Sequence, residues 1–145
     1  MLALILILSP LCRFMPGRPR RYRWREQQTD LAAARSLLAL GHLRVAVSRA
    51  YYAIFHSACA ALLWVGVEHG RHSGAQSEFG EFLVKPGILE PEFGRLYVKA
   101  REAREEQEYD LDAAPLAAQD AVEIVDDAER FVSRIAQYLQ QAGAV

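Results

Sequence analysis

Arg49 and His56 stand seven residues apart in the segment SRAYYAIFHSA, Ser48 to Ala58, which is otherwise dominated by apolar and aromatic residues. On a helix, seven residues is almost two turns, so both side chains project from one face with Tyr52 between them. An ionisable pair in such a run is costly unless it is paired, placed in a groove or used. Chemically the pair suits RNA cleavage without a metal. A histidine titrating near neutrality can take the proton of a ribose 2'-hydroxyl or protonate the leaving oxygen. An arginine can hold the scissile phosphate through two parallel hydrogen bonds and stabilise its developing charge. The 2'-hydroxyl is then the internal nucleophile. The alternative is structural: a core histidine hydrogen-bonded across a helical bundle, with Arg49 paired to an acid such as Glu105 or Glu108.

A second polar set lies in REAREEQEYDLD, Arg101 to Asp112, where Arg101 and Arg104 precede Tyr109 and a dense run of acids. Arg49, Arg101 and Arg104 together could form a local cationic cluster on an otherwise acidic body. Other familiar chemistry is missing: there is no glycine-rich phosphate loop, paired-cysteine metal motif or nucleophile elbow. His69 and His72 with Cys59 match no standard zinc spacing, so neither metal nor cofactor is expected.

The elements that must position these residues are helical. Alanine, leucine, glutamate and arginine abound and strand-like alternation is absent. A first helix is expected from about Trp24 to Leu40, stopping at Gly41 and presenting Leu31, Ala34, Leu37 and Leu38. A long second helix, His42 to Glu68 and ending at Gly70, carries the Arg49–His56 segment. Its apolar residues, Val45, Val47, Tyr51, Ile54, Phe55, Ala58, Leu62, Leu63 and Val65, wrap so widely that it should be the central helix. The polar stretch GRHSGAQ reads as a loop, followed by a short helix from about Gln76 to Val84 that Pro86 stops. A fourth helix spans Pro91 to Glu106, EYDLDAAP is a loop, and Pro115 opens a last helix to about Gln140. That last helix has the clearest stripe: Ala121, Ile124, Val125, Ala128, Phe131, Val132, Ile135 and Leu139. The reading is an all-α up-and-down bundle of four to five helices.

The 145-residue chain, 52% hydrophobic and 24% charged, suits one domain with its own core, here residues 24–142. Residues 1–23 form an apolar and basic N-terminal segment, expected to be solvated and partly disordered. Residues 13–25, RFMPGRPRRYRWR, hold six arginines and no acid. Removing those six from the 17 basic residues leaves 11 against 18 acids, a formal charge near −7 for residues 26–145. A basic, aromatic tail of this kind could touch RNA phosphates and stack on bases. The opening MLALILILSPLC is too short for a membrane span, and its arginines follow the apolar run instead of preceding it. Met15 is an alternative start, which would make the first fourteen residues a start-site artefact. Two cysteines, Cys12 and Cys59, make no disulfide framework, which fits a reducing, cytoplasmic compartment.

Taken in order, four landmarks carry a resemblance. They are AVSRAYYAIFHSACAALL (Ala46–Leu63), HSG (His72–Gly74), FGEFLVK (Phe79–Lys85), and Arg104 with Tyr109 five residues on. This order, over roughly Thr29 to Leu139, resembles the HEPN superfamily and its small prokaryotic branch of uncharacterised UPF proteins. The resemblance implies a helical bundle that dimerises with its arginine–histidine motifs facing across a cleft, and a role near RNA. Many such proteins are ribonucleases, often toxins encoded beside a small nucleotidyltransferase-fold antitoxin. By position, Arg49 and His56 are the motif pair, expected to be catalytic. Tyr52 lines the same groove, and with Arg101, Arg104 and Tyr109 it is the expected substrate-binding set. Three departures stand out, the first being the six residues between Arg49 and His56, the long end of the family's range. Ala50 follows the arginine where active members carry a polar residue, and Gln107–Glu108–Tyr109 replaces the commoner Ala-Asp-Tyr. Two functions follow as expectations. One is a homodimeric endoribonuclease acting as a toxin or in nucleic-acid defence. The other is a non-catalytic module that binds a nucleotide or docks a nucleotidyltransferase-fold partner through acids such as Glu105, Glu106, Glu108, Asp120, Glu123, Asp126 and Asp127.

Overall fold

Glycine ends the first two helices, at Gly41 and Gly66, and Pro86 and Gly87 mark the turn after the third helical segment, while an aspartate turn at Asp110 opens the last connection. The computed structural model describes residues 19–67, 72–110 and 112–144. Five α-helices follow in order: α1 (Pro19–Ala39), α2 (Leu43–Trp64), α3 (His72–Phe79), α4 (Pro91–Tyr109) and α5 (Ala118–Gln141). A π-helical turn, Gly80–Val84, extends α3, with the Lys85 N–H bonded to the Gly80 carbonyl at 2.8 Å. Among the described residues there is no strand, and the architecture is the expected all-α bundle.

Helix α2 is the centre. Its alanine-rich, aromatic sequence buries residues on most of its girth, and it packs against α1, α3, α4 and α5. Below it, Phe131 of α5 meets Phe79 at 5.2 Å, Tyr97 at 5.9 Å and Phe93 at 6.0 Å between ring centroids. These edge-on and tilted pairs are the geometry aromatic quadrupoles favour. All eight residues of the α5 stripe are buried. Cys59 is fully buried.

Several boundaries differ from those the sequence suggests. The backbone of α1 starts at Pro19, whose fixed φ and missing N–H suit a first helical position, so residues 19–23 belong to the helix. Residues 1–18, and with them the apolar opening, Cys12 and Met15, lie outside the described residues. Helix α2 ends at Trp64 instead of Glu68, because Gly66 takes φ +87° and the Val67 N–H turns back to the Leu62 carbonyl at 2.9 Å. That six-to-one bond with a left-handed glycine closes the helix four residues early. Gly41 ends α1 in the same manner, with His42 N–H on the Leu37 carbonyl at 2.9 Å. His72 to Ala75, expected as loop, are already helical. Helix α4 runs on to Tyr109, and α5 starts at Ala118, leaving Pro115 in the connection. Val45, expected in the apolar wrap of α2, is 50% exposed.

Candidate functional site

On α2, the positions 45, 49, 52 and 56 fall on one side of the helix at spacings of four, three and four residues. They form a stripe open at least in part to solvent, while their neighbours Ala46, Val47, Ala50, Tyr51, Ala53, Ile54 and Phe55 are buried. Arg49 and His56 therefore share a face, as their spacing predicts. What joins them is Asp30 of α1. Its Oδ2 lies 2.9 Å from His56 Nδ1, and its Oδ1 accepts from Arg49 at 3.3 Å. The Asp30 side chain is only 12% exposed and that of His56 18%, whereas that of Arg49 is 44% exposed. The alternative pairing of Arg49 with Glu105 or Glu108 is not what forms.

Hairpin register explains the meeting. Helices α1 and α2 run antiparallel about Gly41, so residues equally distant from it lie opposite one another. Asp30 is eleven residues before Gly41, and Arg49 and His56 are eight and fifteen after it, so the carboxylate falls midway between them. Gln27, Asp30 and Ala34, at helical spacing, are all buried on α1. A polar residue at an inward-facing position of α1 is the sequence signal for Asp30, and a search centred on the α2 motif does not reach it.

The remaining residues arrive from α4. The Arg104 guanidinium lies 4.8 Å from the Tyr51 ring centroid, 5.1 Å from Tyr52 and 5.9 Å from Tyr109, while Arg49 lies 5.3 Å from Tyr52. Tyr52 thus carries two guanidinium groups within cation–π range, and its ring stacks toward His56 at 6.1 Å. Arg104 donates to the Tyr109 hydroxyl at 3.3 Å and pairs with Glu108 at 2.9 Å. Glu108 also accepts from the Ser48 hydroxyl at 2.7 Å, which ties α4 to α2. Burial pushes the Glu108 carboxyl up, but the bonds from Ser48 and Arg104 outweigh it and hold it below the usual carboxylate range. Burial likewise raises the Tyr51 hydroxyl, opposed by the Arg104 charge.

Of the expected set, Arg49, Tyr52, His56, Arg104 and Tyr109 form one connected surface. Arg101 does not join it through any direct contact. Its Nε faces Glu105 on its own helix at 3.7 Å, and its influence reaches the site only as charge felt by Tyr51. A groove of about 600 Å³ lies at the neighbouring end of the bundle, lined by His42, Arg44, Val45, Gln107, Asp110 and Leu116 among others. It does not include Arg49 or His56. Among the described residues no group of three His, Cys, Asp or Glu side chains could hold a metal ion. The candidate His69–His72 pair lies outside the described residues and side chains. No described helix is long and apolar enough to cross a membrane.

The acids considered for docking are mostly engaged. Glu123 and Asp127 bind Lys99 at 2.5 and 3.0 Å, Asp126 binds Arg35 at 2.7 Å, and Glu105 and Glu108 pair within α4. They do not form a free anionic patch.

Residues 21–138 match the HEPN domain family. The chain is 37% identical over 114 residues to "Putative toxin MJ0605" of Methanocaldococcus jannaschii, covering 79% of this chain and 84% of that protein. A Gloeobacter violaceus protein named UPF0332 protein glr0978 is 33% identical over 114 residues, covering 79% of this chain and 90% of the relative. The Pyrococcus horikoshii UPF0332 protein PH1297 is 42% identical over 72 residues, 50% of this chain and 48% of that protein.

Proposed function

The chain belongs to the HEPN family, and from that membership we propose that it is a metal-independent endoribonuclease acting as a toxin or in nucleic-acid defence. The observation that carries the proposal is the surface where Arg49 and His56 meet on one carboxylate, with Tyr52 and Arg104 beside them. It holds the two functions the reaction needs, a phosphate-binding cation and a proton-transfer group, less than two helical turns apart. Arg49 is exposed enough to meet a phosphate. The exposed ring of Tyr109 lies beside the Arg104 guanidinium, an arrangement suited to stacking an unpaired base next to a phosphate contact.

In the proposed reaction Arg49 holds the scissile phosphate while His56 moves a proton between its Nε2 and a ribose or leaving oxygen. The 2'-hydroxyl attacks its own phosphate, so the products are a cyclic phosphate and a free 5'-hydroxyl. The active unit in this reading is a homodimer with two such surfaces facing one cleft. The toxin assignment follows the name of the Methanocaldococcus relative. A nucleotidyltransferase-fold antitoxin is the partner class that this assignment implies.

The test is cleavage of varied RNAs by purified protein in EDTA, beside Arg49→Ala and His56→Ala variants of matched thermal stability. Loss of His56 should cost about 10²–10⁴-fold in rate, and loss of Arg49 about 10²–10³-fold. An inert wild type, freed of any bound partner, sinks the enzyme reading. The protein then stands as a HEPN module that binds a nucleotide or a partner without cutting.

A further inference from the structure

We infer that Asp30 is a positioning residue for His56: it fixes which ring nitrogen carries the proton and so presents the other, Nε2, as the working atom. The inference rests on the nuclease reading above for its catalytic consequence and on geometry alone for the rest. A carboxylate has only acceptor sites, so at 2.9 Å from Asp30 Oδ2 the His56 Nδ1 must be the protonated nitrogen. With Nδ1–H committed inward, a neutral ring keeps its lone pair on Nε2. The ring of a solvent-exposed histidine side chain favours the opposite arrangement, with the proton on Nε2. Asp30 therefore reverses the intrinsic preference.

Three features make this a built arrangement. Asp30 is itself buried on α1, so its carboxylate is shielded from competing water. Its second oxygen is occupied by Arg49, which fixes the carboxylate plane. The ring of His56 is further restrained by Tyr52 at 6.1 Å and Phe55 at 5.3 Å between centroids. Among the described residues, the charged and titratable groups seen around the ring are Asp30 from α1 and Arg49 and Tyr52 from α2, with Arg104 of α4 lying 5.1 Å from the Tyr52 ring.

The diagnostic substitution is Asp30→Asn, which keeps size and shape. Arg49 can only donate, so the new amide must turn its oxygen toward Arg49 and its NH₂ toward Nδ1. That orientation makes Nδ1 an acceptor and drives the proton to Nε2, the wrong tautomer for catalysis. The serine-protease triad supplies the parallel: there the same aspartate-to-asparagine change leaves the geometry intact and removes most of the rate.

The experiment uses full-length protein labelled with ¹⁵N-histidine and reads the His56 ring nitrogens at a pH where the ring is neutral, with His56→Ala identifying the signals. Wild type should show Nδ1 protonated, and Asp30→Asn should show the proton on Nε2. On RNA, Asp30→Asn should lower kcat about 10–100-fold without raising KM. A wild-type ring protonated on Nε2 overturns the inference without any variant having to fold. So does an unchanged tautomer in a folded Asp30→Asn, or a raised KM at constant kcat. If wild type cuts no RNA, the nuclease reading fails by itself, and the nitrogen signals still decide whether Asp30 sets the ring.

Discussion

Glu108 shows how a single residue can tie the site to the stability of the fold. It sits in the last turn of α4, accepts from Ser48 of α2 and pairs with Arg104, the cation that stacks on Tyr51 and Tyr52. Its folded-state pKa lies below the ordinary value of 4.5, because the bonds from Ser48 and Arg104 outweigh burial. The stabilisation it supplies is therefore fully present above about pH 4.5 and is lost as pH falls through the depressed value. Glu108→Gln should make the loss of stability between about pH 5 and pH 3 shallower than in wild type. At pH 7 the variant should be less stable by no more than about 1 kcal/mol, since the group is partly solvated. Chemical denaturation across that pH range checks both statements, and an unchanged pH slope would show that the Glu108 carboxylate adds no pH-dependent stability through Ser48 or Arg104.

At the scale of elements, the early end of α2 has the largest consequence. Gly66 at φ +87° lets the chain leave the helix after Trp64, and nothing within 4 Å would obstruct a Cβ there. The penalty of Gly66→Ala is then purely conformational, about 1 kcal/mol, and should appear as a lowered melting temperature with RNA cleavage at 25 °C unaltered. Intact stability would mean the backbone can reach the loop by another route. The same element shows what is legible in sequence and what is not. The α5 stripe is readable because a surface helix with one apolar face repeats at 3.6 residues. The end of α2 is hidden because Trp64, Val65 and Val67 continue its apolar pattern past the glycine. The π-helical turn after Phe79 carries no periodic signature, and its bonds depend on how Leu83 and Leu89 seat in the core. Arg49 and His56 are legible because their relation lies within one helix. Asp30 is not, because its relation to them comes from the α1–α2 register, across 19 and 26 residues of sequence.

For the whole molecule the difficulty is charge. RNA binding draws on phosphate contacts with free cations, yet residues 26–145 are formally acidic. Much of their basic complement is also committed: Arg35, Lys99, Arg130 and Arg134 each hold acids well away from the α2 stripe. Arg49 and Arg104 are themselves paired, with Asp30 and Glu108, so the site of one copy offers only a small, partly neutralised cationic surface. Two copies sharing one cleft would double it, which is the physical argument for the homodimer in the proposed function. The apolar side chains suited to hold such a pair together are Leu40, 71% exposed at the α1–α2 turn, and Val45, which heads the same stripe as Arg49. A Leu40→Asp, Val45→Asp double variant should run as a monomer of the 16.3 kDa chain in light scattering where wild type runs as a dimer. Its melting temperature should stay close to that of the wild-type fold at low concentration, because both side chains already meet solvent. Its RNA cleavage should fall with dimer content and recover at protein concentrations that restore association. A variant that stays dimeric moves the interface elsewhere, and a monomer that cuts at the wild-type rate removes the need for a shared cleft.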